Sequence, residues 1–360
     1  MRAAESNRAM TAAPTAARPD IGDFLPAGTF VDHENRPTML QTQDIAGHPL
    51  VLFLCRRADA PANGPEFDRL RDLAPAFAEA RARIFAVCGS PAGENRAVAE
   101  ARRLPFPLLV AEAADFLDRL GLGDDAGASA TIVTDPNSRI IARLRPDVAA
   151  TQGDRALARC VALGLPDAET AQVVAPHPPV LVVPNIFDPF FCTRLIELWQ
   201  RGDKRESEVS RGVAGSADYE ARTNTVVKSR TDVLIPEGDN ALNLQIRDRF
   251  QRRVVPELVK CFQFAVRSYE VARIGCYDAA RGGYFRAHRD DVGDPAQPRR
   301  FALSLNLNDD FDGGGVRFPE YGRQSYRPPP GGGVVFSCNL LHEALPVTRG
   351  RRFGLFTFFR

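Results

Sequence analysis

The chain has almost no lysine, a single tryptophan, and no surplus of charge of either sign. Lys204, Lys228 and Lys260 carry its only lysine ammonium groups, so nearly all the positive charge is arginine. That arginine is scattered among acids and the net charge is +1, which argues against nucleic acid and membrane surfaces as partners. The arginine excess reads as codon bias. No apolar run is long enough to span a bilayer. The first 19 residues, rich in Ala and Arg, lack the apolar core of a secretory signal and read as a flexible tail. There is no C-x-x-C. The seven cysteines (Cys55, Cys88, Cys160, Cys192, Cys261, Cys276 and Cys338) are widely spaced and odd in number. This argues against a disulfide framework or zinc ribbon and for a reducing, cytoplasmic compartment.

What is present divides the 360 residues into two expected domains, at 20–164 and 179–360. In the first, strand and helix signals alternate. The apolar run Leu50 to Leu54 is a buried-strand pattern, followed by Phe67, Leu70, Leu73 and Phe77 at helical spacing. Ile84 to Cys88 is a second strand. A helix from about Glu94 to Arg103, a strand from Pro107 to Val110 and a helix from Ala113 to Leu120 come next. Thr131 to Val133 and Ile140 to Ala142 flank a turn and make a closing hairpin. The pattern implies an α/β domain with a partly parallel sheet.

The proline-rich segment 165–178 reads as a linker. Beyond it, Asp188-Pro189 is an N-cap with proline at the first helical position, opening a helix to Gln200. Asp203 to Asp232, polar and rich in Gly, Ser and Arg, reads as a mobile loop or lid; Arg211, Arg222, Lys228 and Arg230 give it a basic character that would favour an acidic substrate or peptide, against the plainer reading of an ordinary solvated loop. A helical stretch from Ala241 to Phe264 breaks near Pro256. After it the pattern turns to strands. Phe301, Leu303, Leu305 and Leu307 alternate with Ala302, Ser304, Asn306 and Asn308, giving one apolar face and one small polar face suited to lining a cavity. Short strands punctuated by glycine indicate a mainly-β sandwich or barrel.

Within that barrel, His288-Arg289-Asp290 places an imidazole and a carboxylate on one face of an extended chain. A barrel-like wrap returns His342 beside them. Two imidazoles and one carboxylate leave half of an octahedron open, which suits Fe(II) better than structural zinc. Arg352, past the Thr348-Arg349-Gly350 turn, comes back toward the same place with a guanidinium able to grip a carboxylate.

Residues 179–360 resemble the prolyl 4-hydroxylase-type family of Fe(II)/2-oxoglutarate dioxygenases. The resemblance rests on Cys276-Tyr277…Gly283-Tyr284…His288-x-Asp290, Leu305-Asn306-Leu307-Asn308, Gly313-Gly314-Gly315-Val316-Arg317-Phe318 and His342-Glu343-Ala344-Leu345-Pro346-Val347-Thr348…Gly350-Arg351-Arg352. It implies a double-stranded β-helix (jelly roll) with supporting helices. It implies iron on His288, Asp290 and His342, and 2-oxoglutarate on Arg352, with Tyr277 and Asn306 at the remaining co-substrate positions. Asn306 stands where some relatives have tyrosine. The implied reaction consumes O2 and 2-oxoglutarate, hydroxylates a C–H bond of a peptidyl (including prolyl) or small-molecule substrate, and releases succinate and CO2. Ascorbate is a further ligand that the resemblance suggests.

Residues 20–144 resemble the peroxiredoxin (thioredoxin-like) family through Gly22-Asp23-Phe24-Leu25-Pro26, the Leu50 to Leu54 strand, Ala58 to Asn63, Leu104 to Leu109 and Thr131 to Asp135. The family's loop places Thr before Pro and a nucleophilic Cys soon after. Here those positions are Ala60 and Asn63, and a later supporting arginine is Ser129. An amide cannot become a thiolate, so the expectation is a domain without thiol peroxidase activity, with Cys55 and Cys88 as buried core residues. Homodimerisation, carrier or substrate binding, and bracing of the oxygenase are the roles left to it. The competing functional classes are a thiol-redox protein and a non-catalytic binding protein.

Overall fold

The computed structural model describes residues 8–9, 18–40, 45–111, 116–165, 177–212, 219–236, 240–291 and 298–360. They fall into two compact units, Ala16–Gln172 and Val173–Arg360, and the short strand Arg8–Ala9 belongs to the second. Most of the expected tail (1–19) and linker (165–178) lies outside the described residues. Within the tail, Arg8–Ala9 pairs antiparallel with Ser268–Tyr269.

In the N-terminal unit every side chain of Leu50–Cys55 is buried. That is why the segment is apolar without alternation: Val51, Phe53 and Cys55 face a cluster with Phe67, Leu70 and Phe77, while Leu50, Leu52 and Leu54 face another with Phe116, Leu117 and Leu120. Each such side chain contributes about 1.5–3 kcal/mol on burial. The strand lies at the centre of a mixed sheet in the order Pro37–Met39, Thr29–Asp32, Leu108–Ala111, Arg83–Cys88, Leu50–Cys55, Ser129–Thr134, Ile140–Leu144. It runs parallel to Arg83–Cys88 and antiparallel to Ser129–Thr134. Helices Gly64–Glu79 and Ala92–Arg102 follow the expected pattern. Of the helix expected from Ala113, only Phe116–Arg119 falls within the described residues. The unit is thioredoxin-like. The expected elements end at the hairpin and leave out the last helix, Gln152–Ala162, although its buried residues Gln152, Gly153, Ala156 and Cys160 recur at helical spacing.

Two facing sheets make the C-terminal unit a jelly roll. Along its main path the larger runs Arg205–Glu206, Thr231–Leu234, Arg273–Asp278, Arg351–Phe359, Phe301–Asn306, Gly333–Ser337, Val180–Val183. The smaller runs Lys228–Ser229, Tyr284–His288, His342–Ala344, Val316–Arg317, Ser325–Tyr326. Period-two alternation divides the larger sheet's side chains. Ile274, Cys276, Leu303, Leu305, Phe353, Leu355 and Phe359 pack in one cluster with residues of helices Pro189–Arg201, Asn240–Arg253 and Val255–Phe262. The first of these helices starts as expected, with the Asp188 carboxylate accepting from Phe191 N at 2.8 Å. Tyr277, Ala302, Ser304, Arg352 and Phe356 take the other face and line a cavity.

The segment Asp203 to Asp232 differs from its reading as a loop. It contains the strands Arg205–Glu206, Glu208–Gly212, Tyr219–Thr223, Lys228–Ser229 and Thr231–Leu234, and Lys228, Arg230 and Asp232 are buried. Of its described polar side chains, Arg230 and Asp232 pair with each other inside the sheet, while Asp203, Lys204, Arg205 and Glu208 are exposed. Among the described residues, no helix is long and apolar enough to cross a membrane.

All seven cysteines are free thiols and all except Cys261 are buried. Cys55 and Cys88, register partners on adjacent strands, touch at 3.4 Å between sulfurs. The Cys55 thiol and burial together push Cys88 well above the ordinary thiol range, which removes its nucleophile. Titration with a thiol-reactive chromogen should therefore modify Cys261 at once in the native protein and the remaining cysteines only on unfolding. Rapid labelling of Cys55 or Cys88 in folded protein would contradict this packing.

Candidate metal centre

His288 closes the strand Tyr284–His288 and His342 opens the strand His342–Ala344, and the two residues face each other in register. The pairing slips between Phe285 and His288, a bulge of the kind that re-aims a side chain beside a functional site. Asp290 follows two residues on, fixed by its N–H donating to Cys338 O at 2.9 Å. The carboxylate lies between the imidazoles, 3.4 Å from His288 Nε2 and 3.1 Å from His342 Nε2. One ligand atom from each of the three lies within 4.8 Å of the others.

Each imidazole is oriented through its other nitrogen. His288 Nδ1 is 2.7 Å from Arg286 O, and His342 Nδ1 is 3.0 Å from Leu340 O. A carbonyl only accepts, so Nδ1 carries the proton and each Nε2 is left with a lone pair. Burial lowers His288 toward the neutral form against the pull of Asp290. Burial alone would raise the Asp290 carboxyl, yet the His342 and His288 imidazoles beside it hold it far below the usual carboxylate range. A carboxylate and two imidazoles that turn Nε2 toward it are the donor set a divalent metal requires.

These three residues line a cavity of about 250 Å³ that also takes in Tyr277, Ser304, Arg352 and Lys228. Arg352 arrives from the turn at Gly350, whose φ of +72° and whose approach to Asp310 O leave no room for a Cβ. The guanidinium is 2 % exposed. Its Nε donates to Asn306 Oδ1 at 2.9 Å and Nη2 to Ser304 Oγ at 2.8 Å, while Nη1 has no partner. Burial pulls this arginine down to about 10. Asn306 in turn donates from Nδ2 to Pro328 O at 2.7 Å, so both ends of its amide hold the guanidinium in place. The Tyr277 hydroxyl accepts from Arg230 Nη1 at 3.3 Å, leaving its own hydrogen to donate. Arg230 is clamped in turn by Asp232 at 2.6 and 2.7 Å, and Ser207 donates to Asp232 at 2.6 Å. Burial would raise Asp232, but Arg230 holds it at about 2.

The structure brings His288, Asp290, His342, Arg352 and Tyr277 to the lining of one cavity, with Asn306 behind it on Arg352. Ser304, Arg230 and Lys228 join that lining, with Asp232 behind Arg230. The small polar face of Phe301–Asn306 pointed to Ser304; nothing in the local pattern separated the other three from solvated residues.

Residues 21–143 match the AhpC/TSA family model. Proteins similar to the chain include a PKHD-type hydroxylase of Xanthomonas axonopodis pv. citri, 28% identical over 185 residues, covering 49% of this chain and 76% of the relative. Another, from Xanthomonas campestris pv. campestris, is 29% identical over 191 residues with the same coverage. Among solved structures, a prolyl-4-hydroxylase of Pseudomonas putida aligns at 20% identity and a TM-score of 0.36, over 51% of this chain and 92% of that one. A peroxidoxin of Mycobacterium tuberculosis aligns at 25% identity and a TM-score of 0.36, over 40% and 98%. The chain is therefore similar to the AhpC/TSA family over its N-terminal part and to PKHD-type hydroxylases over about half its length.

Removing one donor of the three should lower Mn(II) affinity by more than about 100-fold, beyond the loss that changes behind a metal ligand cause. Titration of His342→Ala followed by electron paramagnetic resonance checks this; near-native affinity would exclude the trio as the metal site.

Proposed function

We propose that the C-terminal unit is an Fe(II)- and 2-oxoglutarate-dependent dioxygenase that hydroxylates a C–H bond of a peptidyl or small-molecule substrate, with release of succinate and CO2. One observation carries the reading: a carboxylate and two oriented imidazoles share a closed cavity with a buried guanidinium that keeps one donor unused. An orphaned buried N–H costs free energy unless a ligand takes it. A carboxylate on Arg352 Nη1 meets that need, and the donor set suits iron with open positions. The similarity to PKHD-type hydroxylases supports the same reading.

In this proposal His288, Asp290 and His342 hold the iron, and Arg352 holds the far carboxylate of 2-oxoglutarate. Bound together, iron and the keto acid supply the oxidising chemistry. The protein's own part is positional. Ser304 and Asn306 fix the guanidinium plane, so Arg352 is preorganised at little entropic cost. Tyr277, held through Arg230, donates its hydroxyl hydrogen to a co-substrate oxygen. Ala302, Val316 and Phe336 give the cavity an apolar wall that keeps water from the reacting carbon. The peroxiredoxin-like unit takes no chemical role here, because Asn63 stands in the nucleophile's place.

Purified protein with Fe(II) and 2-oxoglutarate should release succinate, and His288→Ala should abolish that release. Arg352→Met should raise the KM for 2-oxoglutarate about 10- to 100-fold, the loss of one or two charge-assisted hydrogen bonds. Succinate formation indifferent to both changes would sink the assignment.

A further inference from the structure

With iron and 2-oxoglutarate assigned as above, most of the charged groups lining the cavity are paired; Glu208, which also lines it, is exposed, and Arg273 is engaged by other groups. Arg230 is held by Asp232, Arg299 by Glu270, Arg289 by Glu320, and Glu343 by Arg317. Asp290 belongs to the metal and Arg352 to the co-substrate. Lys228 is left over. It is 5 % exposed and lines the cavity. Among the described residues its ammonium reaches one hydrogen-bond acceptor, the backbone carbonyl of Glu208, at a long 3.4 Å, and forms no ion pair. Burial and the neighbouring Arg230 pull it well below the usual lysine range. A charge taken from water with no counter-ion is costly, and a chain so poor in lysine has kept one here.

Its position relative to the metal is fixed by strand pairing. Lys228 is the register partner of Phe285. The ammonium lies 4.4 Å from the centre of the Phe285 ring, and that ring stacks on the His288 imidazole with 3.4 Å between centroids. Lys228 is therefore one aromatic ring away from a metal ligand, on the wall of the cavity where a substrate must enter.

We propose that Lys228 is a substrate-binding residue and that the substrate is an acid, presenting a carboxylate to this ammonium while its reacting C–H bond faces the metal. The inference rests on the dioxygenase reading and narrows it to one substrate class. The carboxylate supplies the missing counter-ion, restores the ammonium's charge, and leaves Arg352 free for 2-oxoglutarate. The Phe285 ring face adds a cation–π contact that holds the ammonium in position without neutralising it.

The test uses the full chain loaded with Mn(II) and 2-oxoglutarate and reads binding by calorimetry. The probes are N-acetyl-L-alanine and its amide N-acetyl-L-alaninamide, which differ in the one carboxylate, with a blocked glutamyl tripeptide and its glutaminyl counterpart alongside to separate a free acid from a peptide side chain. The expected result is an acid-over-amide preference of about tenfold or more, for the free acid or for the peptide. Lys228→Met should lose that preference and Lys228→Arg should retain it, with Lys228→Gln in reserve should the methionine variant not fold. Equal binding of acid and amide by the wild type overturns the proposal. So does a preference that survives in the methionine or glutamine variant, or a loss that falls on 2-oxoglutarate instead of the probes. Wild-type protein that binds Mn(II) but no 2-oxoglutarate strikes the parent reading itself, and the two failures are thereby told apart.

Discussion

A buried guanidinium is the constraint around which the C-terminal unit is organised. Taking Arg352 out of water is expensive, and its fall to about 10 records that expense. The strand that bears it can meet the cost because alternate residues serve opposite faces. Phe353, Leu355 and Phe359 share one core cluster with Leu195, Phe250 and Leu258 of the helices, while Arg352 points the other way to Ser304 and Asn306. Stability is generated on one side of the sheet and spent holding polar groups on the other. The same division applies on both neighbouring strands, where Ile274 and Leu303 face the helices and Tyr277 and Ser304 line the cavity.

Much of this was legible before any coordinates. The trio of His288, Asp290 and His342 could be read because an H-x-D step puts both side chains on one face of an extended chain, and because His342 returns on the paired strand. Arg352 could be read from the tight turn before it. Lys228, Arg230 and Asp232 could not. Hydropathy ranks a residue by its own preference for water, and these three satisfy or defer that preference inside the protein. Arg230 meets Asp232 two residues away but is completed by Ser207 and Tyr277, which are far from it in sequence. A polar residue whose partner is remote looks the same in sequence as one facing solvent.

The N-terminal unit shows how far a fold can travel from its chemistry. Asn63 is fully buried at the loop where relatives of this type keep a nucleophile, and its Nδ2 donates to Arg57 O at 2.8 Å. Ser129, at the position expected to support a thiolate with arginine, instead receives a hydrogen bond from Gln152 Nε2 at 3.1 Å. Gln152 Oε1 accepts from Thr131 at the same distance. The places of the expected nucleophile and of its expected support are thus held by two separate polar arrangements, and Asn63 Oδ1 is left without a partner. A cysteine placed at 63 would be fully buried, and burial keeps a thiol protonated, so this loop can keep its shape while offering no thiolate.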